Sequence, residues 1–218
     1  MTYPPSKPLI RIKYCGLTRE QDVLAAAEAG AWAVGFVFVK KSKRYISPAQ
    51  ARELVSLAKR HHMLAVALFA DQPAEEVQRI QQLVEADVLQ FHGQESAAYC
   101  EQFNAPYWKA IPMLAVTDWQ AYAAGFATAE AWLLDAFGGQ QSGGSGQAFE
   151  WFRIPEQFRN RVILAGGLDA DNVGQAIAST GCQFIDTSSG IEATPGVKSK
   201  EKMLAMTARV NQAVQEPG

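Results

Sequence analysis

Apolar, often β-branched runs recur along the chain at 9–14, 32–39, 63–69, 87–91, 107–111, 131–136, 162–165 and 184–187. They read as eight strands. Between them lie stretches rich in Ala, Glu, Gln and Leu that predict helices at roughly 19–29, 48–61, 73–85, 95–103, 117–125, 170–179 and 200–214, with a weakly marked one near 150–158. Start signals accompany several of them. Thr18 with Gln21 has the spacing of a capping box, and Ser47, Pro48 and Gln50 combine a box with proline at the first helical position. Asp169 or Asp171 is the expected cap of the helix after the seventh strand. Eight strands alternating with helices imply a parallel sheet covered on its outer face, because each parallel crossover needs a connection of its own. Closure into a single (β/α)8 TIM barrel is the natural reading. An open doubly wound sheet is the alternative; no Gly-x-Gly-x-x-Gly turn follows the first strand to favour it.

Composition narrows the function. A chain of 218 residues suits one α/β barrel domain spanning 1–218, with residues 1–8 as an N-terminal extension. Lys and Arg number 20 against 22 Asp and Glu, a net charge of −2 without any long basic block, so neither nucleic acid nor an anionic membrane is an expected partner. Any phosphate must be held locally. The three cysteines, Cys15, Cys100 and Cys182, are widely spaced with no CxxC pair, which predicts reduced thiols, a cytoplasmic location and no metal site. No apolar run approaches the ~18 residues of a membrane helix, and the first eight residues lack an apolar signal core. The Gly- and Ser-rich stretch 138–147 falls between the sixth strand and the next helix, so it reads as a loop over one face of the barrel rather than a domain boundary.

The chemistry-bearing residues cluster at strand ends. Cys15 follows the first strand and Asp135 the sixth, each where an apolar run gives way to a loop, and in a barrel the C-terminal strand ends carry the reactive groups. Cys15 fits a general base. A free thiol has a pKa of about 8.5, so a local field is needed, and the helix start near Thr18 is one source of it. A buried packing cysteine is the plain alternative. Asp135 fits a general acid whose pKa is raised by apolar walls such as Phe137, or else a carboxylate paired with a buried cation. Gly166 and Gly167, and Ser188, Ser189 and Gly190, form two small-residue loops after strands seven and eight, where backbone N–H groups of this fold bind phosphate. The combination suggests an isomerase acting on a sugar phosphate. Asp186 shares inward parity with Ser188 and serves either a proton transfer or an ion pair with Lys13, which has the parity of Cys15. His92, at the end of strand four, is a substrate contact or a structural histidine; His61 and His62 read as surface.

Six segments carry a family resemblance: KYCGLT (13–18), KKSKRYISPAQAR (40–52), VLQFHGQES (88–96), LLDAFGG (133–139) with GGSGQAFEW (143–151), ILAGGLDADNV (163–173) and DTSSGIEATPGVK (186–198). In this order they resemble the signature segments of the phosphoribosylanthranilate isomerase family of tryptophan biosynthesis. The resemblance implies a TIM barrel and the Amadori rearrangement of N-(5′-phosphoribosyl)anthranilate to 1-(2-carboxyphenylamino)-1-deoxyribulose 5-phosphate, with Cys15 as base and Asp135 as acid. It points to Arg44, rather than Lys40, Lys41 or Lys43, as the fork that holds the anthranilate carboxylate, and to Gly143–Gly146 as a closure over the phosphate end. No metal or organic cofactor is expected, since the protons move between side chains and substrate, and monomer and homodimer both stay open. Three positions depart from the family pattern: Tyr14, Phe91 and Asp71. The histidine-pathway sister isomerase is opposed by Cys15, since an aspartate is usual there, and a silent binding barrel by the presence of both Cys15 and Asp135.

Overall fold

A computed structural model describes residues 10–135 and 154–215. Phe137, the stretch 138–147, residues 143–146 and the extension 1–8 lie outside them. Every predicted strand is present: β1 (Arg11–Cys15), β2 (Ala33–Val37), β3 (Leu64–Phe69), β4 (Val88–Phe91), β5 (Tyr107–Pro112), β6 (Ala131–Asp135), β7 (Val162–Leu164) and β8 (Phe184–Thr187). They pair in parallel in sequence order and close, β8 lying against β1 with Lys13 opposite Asp186. That closing pair excludes the open sheet.

Strand parity sorts side chains into two cores. Outward residues join the helices in one large apolar cluster, while the inward set, including Val66, Val88, Trp108, Leu133, Ile163 and Phe184, fills the barrel. The lower end is plugged by aromatics: Phe184 meets both Trp32 and Trp108 edge-on, with the Arg11 guanidinium against Trp32 and Phe184. Apolar filling below leaves the inward polar residues Lys13, Gln90, Asp135 and Asp186 toward the strand C-termini.

The helices are α1 (Glu20–Glu28), α2 (Pro48–Arg60), α3 (Ala74–Val84), α4 (Ala97–Glu101), α5 (Trp119–Ala124), α6 (Val173–Thr180) and α7 (Lys200–Gln215). Ser47 caps α2 as expected, accepting from the Gln50 amide with Pro48 at the first position. The Thr18–Gln21 box does not form. Arg19 occupies the cap of α1 without a side-chain bond to the helix and instead forks onto the buried Asp22 carboxylate. At α6 the cap position belongs to Asn172, and Asp169 accepts from the Asp171 and Asn172 amides in the preceding turn. The predicted helix at 95–103 shrinks to α4, which starts after Ser96, whose side chain accepts from the Tyr99 amide, and ends at Glu101. Of the predicted helix at 150–158, the described part is a single 3-10 turn at Glu156–Phe158.

A hairpin of β9 (Glu192–Thr194) and β10 (Val197–Lys198) follows β8 and was not anticipated. Its turn is Pro195-Gly196, with Gly196 at φ +87°, where a Cβ would sit 2.5 Å from the Lys43 carbonyl oxygen. The unusual residues also find their reasons. Tyr14 points out of the barrel, where its hydroxyl donates to the Met203 carbonyl of α7 and pairs with Thr207. Phe91 stacks outside β4 among Phe69, Phe103 and Tyr107. Asp71, at φ +57°, accepts from the Gln94 amide and ties the loops after β3 and β4.

Candidate active site

β1 presents Lys13 and Cys15 to the interior, two residues apart on one face. Lys13 is wholly buried, and its Nζ donates to Asp186 Oδ1 at 2.8 Å across the β1–β8 seam. Of the two readings of Asp186, the ion pair is the one built. Lys13 also acts electrostatically on the Cys15 thiol, which lies on the same face of β1. Burial pulls the ammonium down, but the charges of Asp186 and the thiol, with the hydrogen bond to Asp186, raise it above the ordinary lysine value. Burial pushes the Cys15 thiol up; Lys13 pulls it down, Asp186 opposes, Lys198 helps Lys13, and the balance stays above the usual thiol value. Among the charged side chains acting on Cys15, Lys13 gives the largest downward pull. Cys100 and Cys182 differ: burial takes them to about 12 and about 11, and Cys182 has no cation acting on it.

Gly35 makes room for this pair. It lies beside Cys15 in the β1–β2 register, and a Cβ there would stand 2.7 Å from Cys15 Sγ and 3.1 Å from Lys13 Nζ. A glycine inside the apolar run 32–39 was the signal for this close approach.

Asp135 ends β6, two strands round the closed barrel from β8 and three from β1. Its Oδ2 lies 3.1 Å from His92 Nε2, and both side chains are about one-fifth exposed at the mouth. On the far side of the ring, His92 Nδ1 faces Gln90 Nε2 at 3.0 Å. Gln90 Oε1 is buried with no hydrogen-bond partner among the described residues, an arrangement that costs about 1–3 kcal/mol.

Arg44 arches over Gly16, which has φ +78° and room only for hydrogen, a Cβ there standing 2.7 Å from the arginine Cδ. The fork expected for a substrate carboxylate is engaged within the chain: Nε and one terminal nitrogen donate to the two Glu192 oxygens at 2.6 and 2.9 Å. Lys198 completes a triad, donating to Glu192 Oε1 and to the Ser188 carbonyl and hydroxyl. Burial pushes Glu192 up, but the Arg44 and Lys198 hydrogen bonds outweigh it and leave the carboxyl below its ordinary value. Glu192 and Lys198 were missed as individual residues. The Pro195-Gly196 dipeptide between them marks the turn that brings them face to face.

The loops after β7 and β8 meet as expected. Thr187 Oγ1 donates to the Leu168 carbonyl at 2.6 Å, and a Cβ on Gly190 would overlap that same carbonyl. Gly166 and Gly167 take φ of +87° and +67°, and among the described residues their amides donate to no protein acceptor. Ser188 Oγ donates to the Cys15 carbonyl, joining this corner to the end of β1. Ser189 and Gly190 lie in the 3-10 turn that follows. Among the described residues, no three of His, Cys, Asp and Glu are grouped as metal ligands, and no helix is long and apolar enough to cross a membrane.

Residues 12–209 match the family model described as N-(5'phosphoribosyl)anthranilate (PRA) isomerase. The N-(5'-phosphoribosyl)anthranilate isomerase of Dechloromonas aromatica is 44% identical over 203 residues, covering 93% of this chain and 97% of its own. Among solved structures, the phosphoribosyl anthranilate isomerase of Thermotoga maritima superposes with a TM-score of 0.81 at 31% identity, covering 94% of this chain and 100% of its own. A phosphoribosyl anthranilate isomerase in complex with reduced 1-(o-carboxyphenylamino)-1-deoxyribulose 5-phosphate is similar at a TM-score of 0.78 and 31% identity, with the same coverage.

Proposed function

The chain belongs to the N-(5′-phosphoribosyl)anthranilate isomerase family, and from that premise we propose that Cys15 and Asp135 are the base and acid of its reaction. The enzyme catalyses the Amadori rearrangement of N-(5′-phosphoribosyl)anthranilate to 1-(2-carboxyphenylamino)-1-deoxyribulose 5-phosphate in tryptophan biosynthesis. The observation that carries the assignment is the Lys13–Cys15–Asp186 cluster on β1 and β8, set round the same mouth as Asp135.

The reaction begins when Asp135, protonated, gives its proton to the furanose ring oxygen, and the C–O bond opens to a Schiff base. Cys15, as thiolate, then takes the proton from the carbon next to the former anomeric centre, yielding an enolamine that tautomerises to the ketone. A buried thiol above its usual value is a reluctant acid but a strong base once ionised. Lys13, kept charged by Asp186, stabilises the thiolate as it forms. Asp186 acts here by holding Lys13.

The Gly166, Gly167, Ser188, Ser189 and Gly190 loops hold the phosphate. Arg44 meets the anthranilate carboxylate, from a guanidinium already fixed on one edge by Glu192. His92 acts through Asp135 as well as lining the mouth. No step needs a metal or redox group, since each moves a proton between substrate and side chain. One barrel domain spanning the chain carries the activity, working in the cytoplasm as a monomer or homodimer.

The test is steady-state turnover of freshly prepared phosphoribosylanthranilate by folded Cys15→Ala and Asp135→Asn. Each variant is expected to lose about 10²- to 10⁴-fold in kcat while still binding product. Near wild-type turnover in either would remove that residue from the scheme.

A further inference from the structure

Gln90 is fully buried inside the barrel on β4, and its amide is used unevenly. Its Nε2 faces His92 Nδ1 at 3.0 Å, His92 Nε2 faces Asp135 Oδ2 at 3.1 Å, and its own Oε1 has no partner among the described residues. A buried amide with one idle end persists where its other end is put to use. An amide N–H can donate to an imidazole nitrogen only when that nitrogen is bare, and in neutral histidine the other nitrogen then carries the hydrogen. The three residues thus form a chain of donors pointing one way, from the barrel interior to the carboxyl group at the mouth.

We propose that Gln90 is a positioning residue that fixes His92 as the Nε2–H tautomer, so that His92 donates to Asp135 Oδ2 and leaves Oδ1 to carry the reacting proton. This rests on the reading of Asp135 as the acid. With the proton on Oδ1, Oδ2 accepts from Nε2–H; after the proton has gone to the ring oxygen, the carboxylate accepts the same bond more strongly. One tautomer serves both states, and no proton on the imidazole moves during the cycle. The opposite amide orientation would set a bare Nε2 against the carboxylate just as its charge develops, and would oppose ring opening.

Nitrogen-15 NMR of the whole protein at pH 8 reads the tautomer directly, with the His92 signals assigned by their loss in His92→Asn. Wild type is expected to give the Nε2–H pattern. Gln90→Glu places an acceptor at Nδ1 and should convert His92 to Nδ1–H, while Gln90→Met should give a mixture. Kinetically, Gln90→Met should lose about tenfold or more in kcat with KM within about twofold, since it misorients a catalytic group without touching substrate. A His92 that is Nδ1–H in wild type, or unchanged in Gln90→Glu, overturns the proposal whatever becomes of Gln90→Met. So does full turnover in Gln90→Met once the tautomer is lost. Full turnover in Asp135→Asn with His92 still Nε2–H would instead strike the acid assignment and leave the tautomer result standing.

Discussion

Lys13 inside the barrel and Lys109 outside it are both fully buried, and each reaches one carboxylate at about hydrogen-bond distance, 2.8 Å to Asp186 and 3.0 Å to Glu95. Their remaining contacts separate them. Lys109 also donates to the carbonyls of Gly93 and Phe91, and Glu95 accepts from the amides of Asp71 and Gly93, so this pair staples the loop after β4. Lys13 instead sets its charge beside a thiol, a group able to lose its proton. The same residue at the same burial is a brace in one place and an electrostatic reserve in the other. The partners decide which.

The comparison can be broken most forcefully by deleting each ammonium. Lys109→Met should cost about 3–5 kcal/mol in urea unfolding by stranding Glu95, while the kcat of the folded fraction stays near wild type. Lys13→Met should cost a similar amount by stranding Asp186, and also lose turnover. Removing both partners separates the roles further: Lys109→Met/Glu95→Leu and Lys13→Met/Asp186→Leu should each regain most of the lost stability, but only the first should be active. An active second double variant would make the two lysines equivalent.

A methyl group gives a smaller perturbation. Gly35→Ala presses on Cys15 and Lys13, and should cost about 1–3 kcal/mol together with a several-fold fall in kcat. Gly93→Ala presses on the Asp71 carboxylate beside the Lys109 brace and should affect the melting temperature alone. The smallest effect is expected in alkali. The Lys13 value is raised on folding, so its contribution is complete below the ordinary lysine value of about 10.4 and fades as pH rises through the higher folded value. Urea midpoints between pH 8 and 11 should therefore fall more steeply for wild type than for Lys13→Met/Asp186→Leu.

The strands were legible because each is a short apolar run whose position depends little on anything distant. Their order, and the strand-end placement of Cys15 and Asp135, followed from the alternation. Helix starts were legible at Ser47, where cap, proline and glutamine agree, and misleading at Thr18, where Arg19 found Asp22 as a stronger partner. Parity brought Lys13 toward Asp186, yet the thiol's dependence on that lysine became visible only once burial was known. The pairing of Arg44 with Glu192 joins residues 148 positions apart through a hairpin that periodicity is too coarse to detect. Gln90 read as one more residue of a buried strand; its use depends on which way His92 turns.

The seam between β1 and β8 joins Lys13 to Asp186 across 173 positions of sequence. At the roughly 5–20 residues per second of synthesis, that separation is about 9–35 s. For that time the first strand lacks the carboxylate that its ammonium meets in the closed barrel. The last strand to arrive therefore closes the barrel and gives the ammonium beside Cys15 its counter-ion in one event, and a chain stalled before it holds that ammonium unpaired.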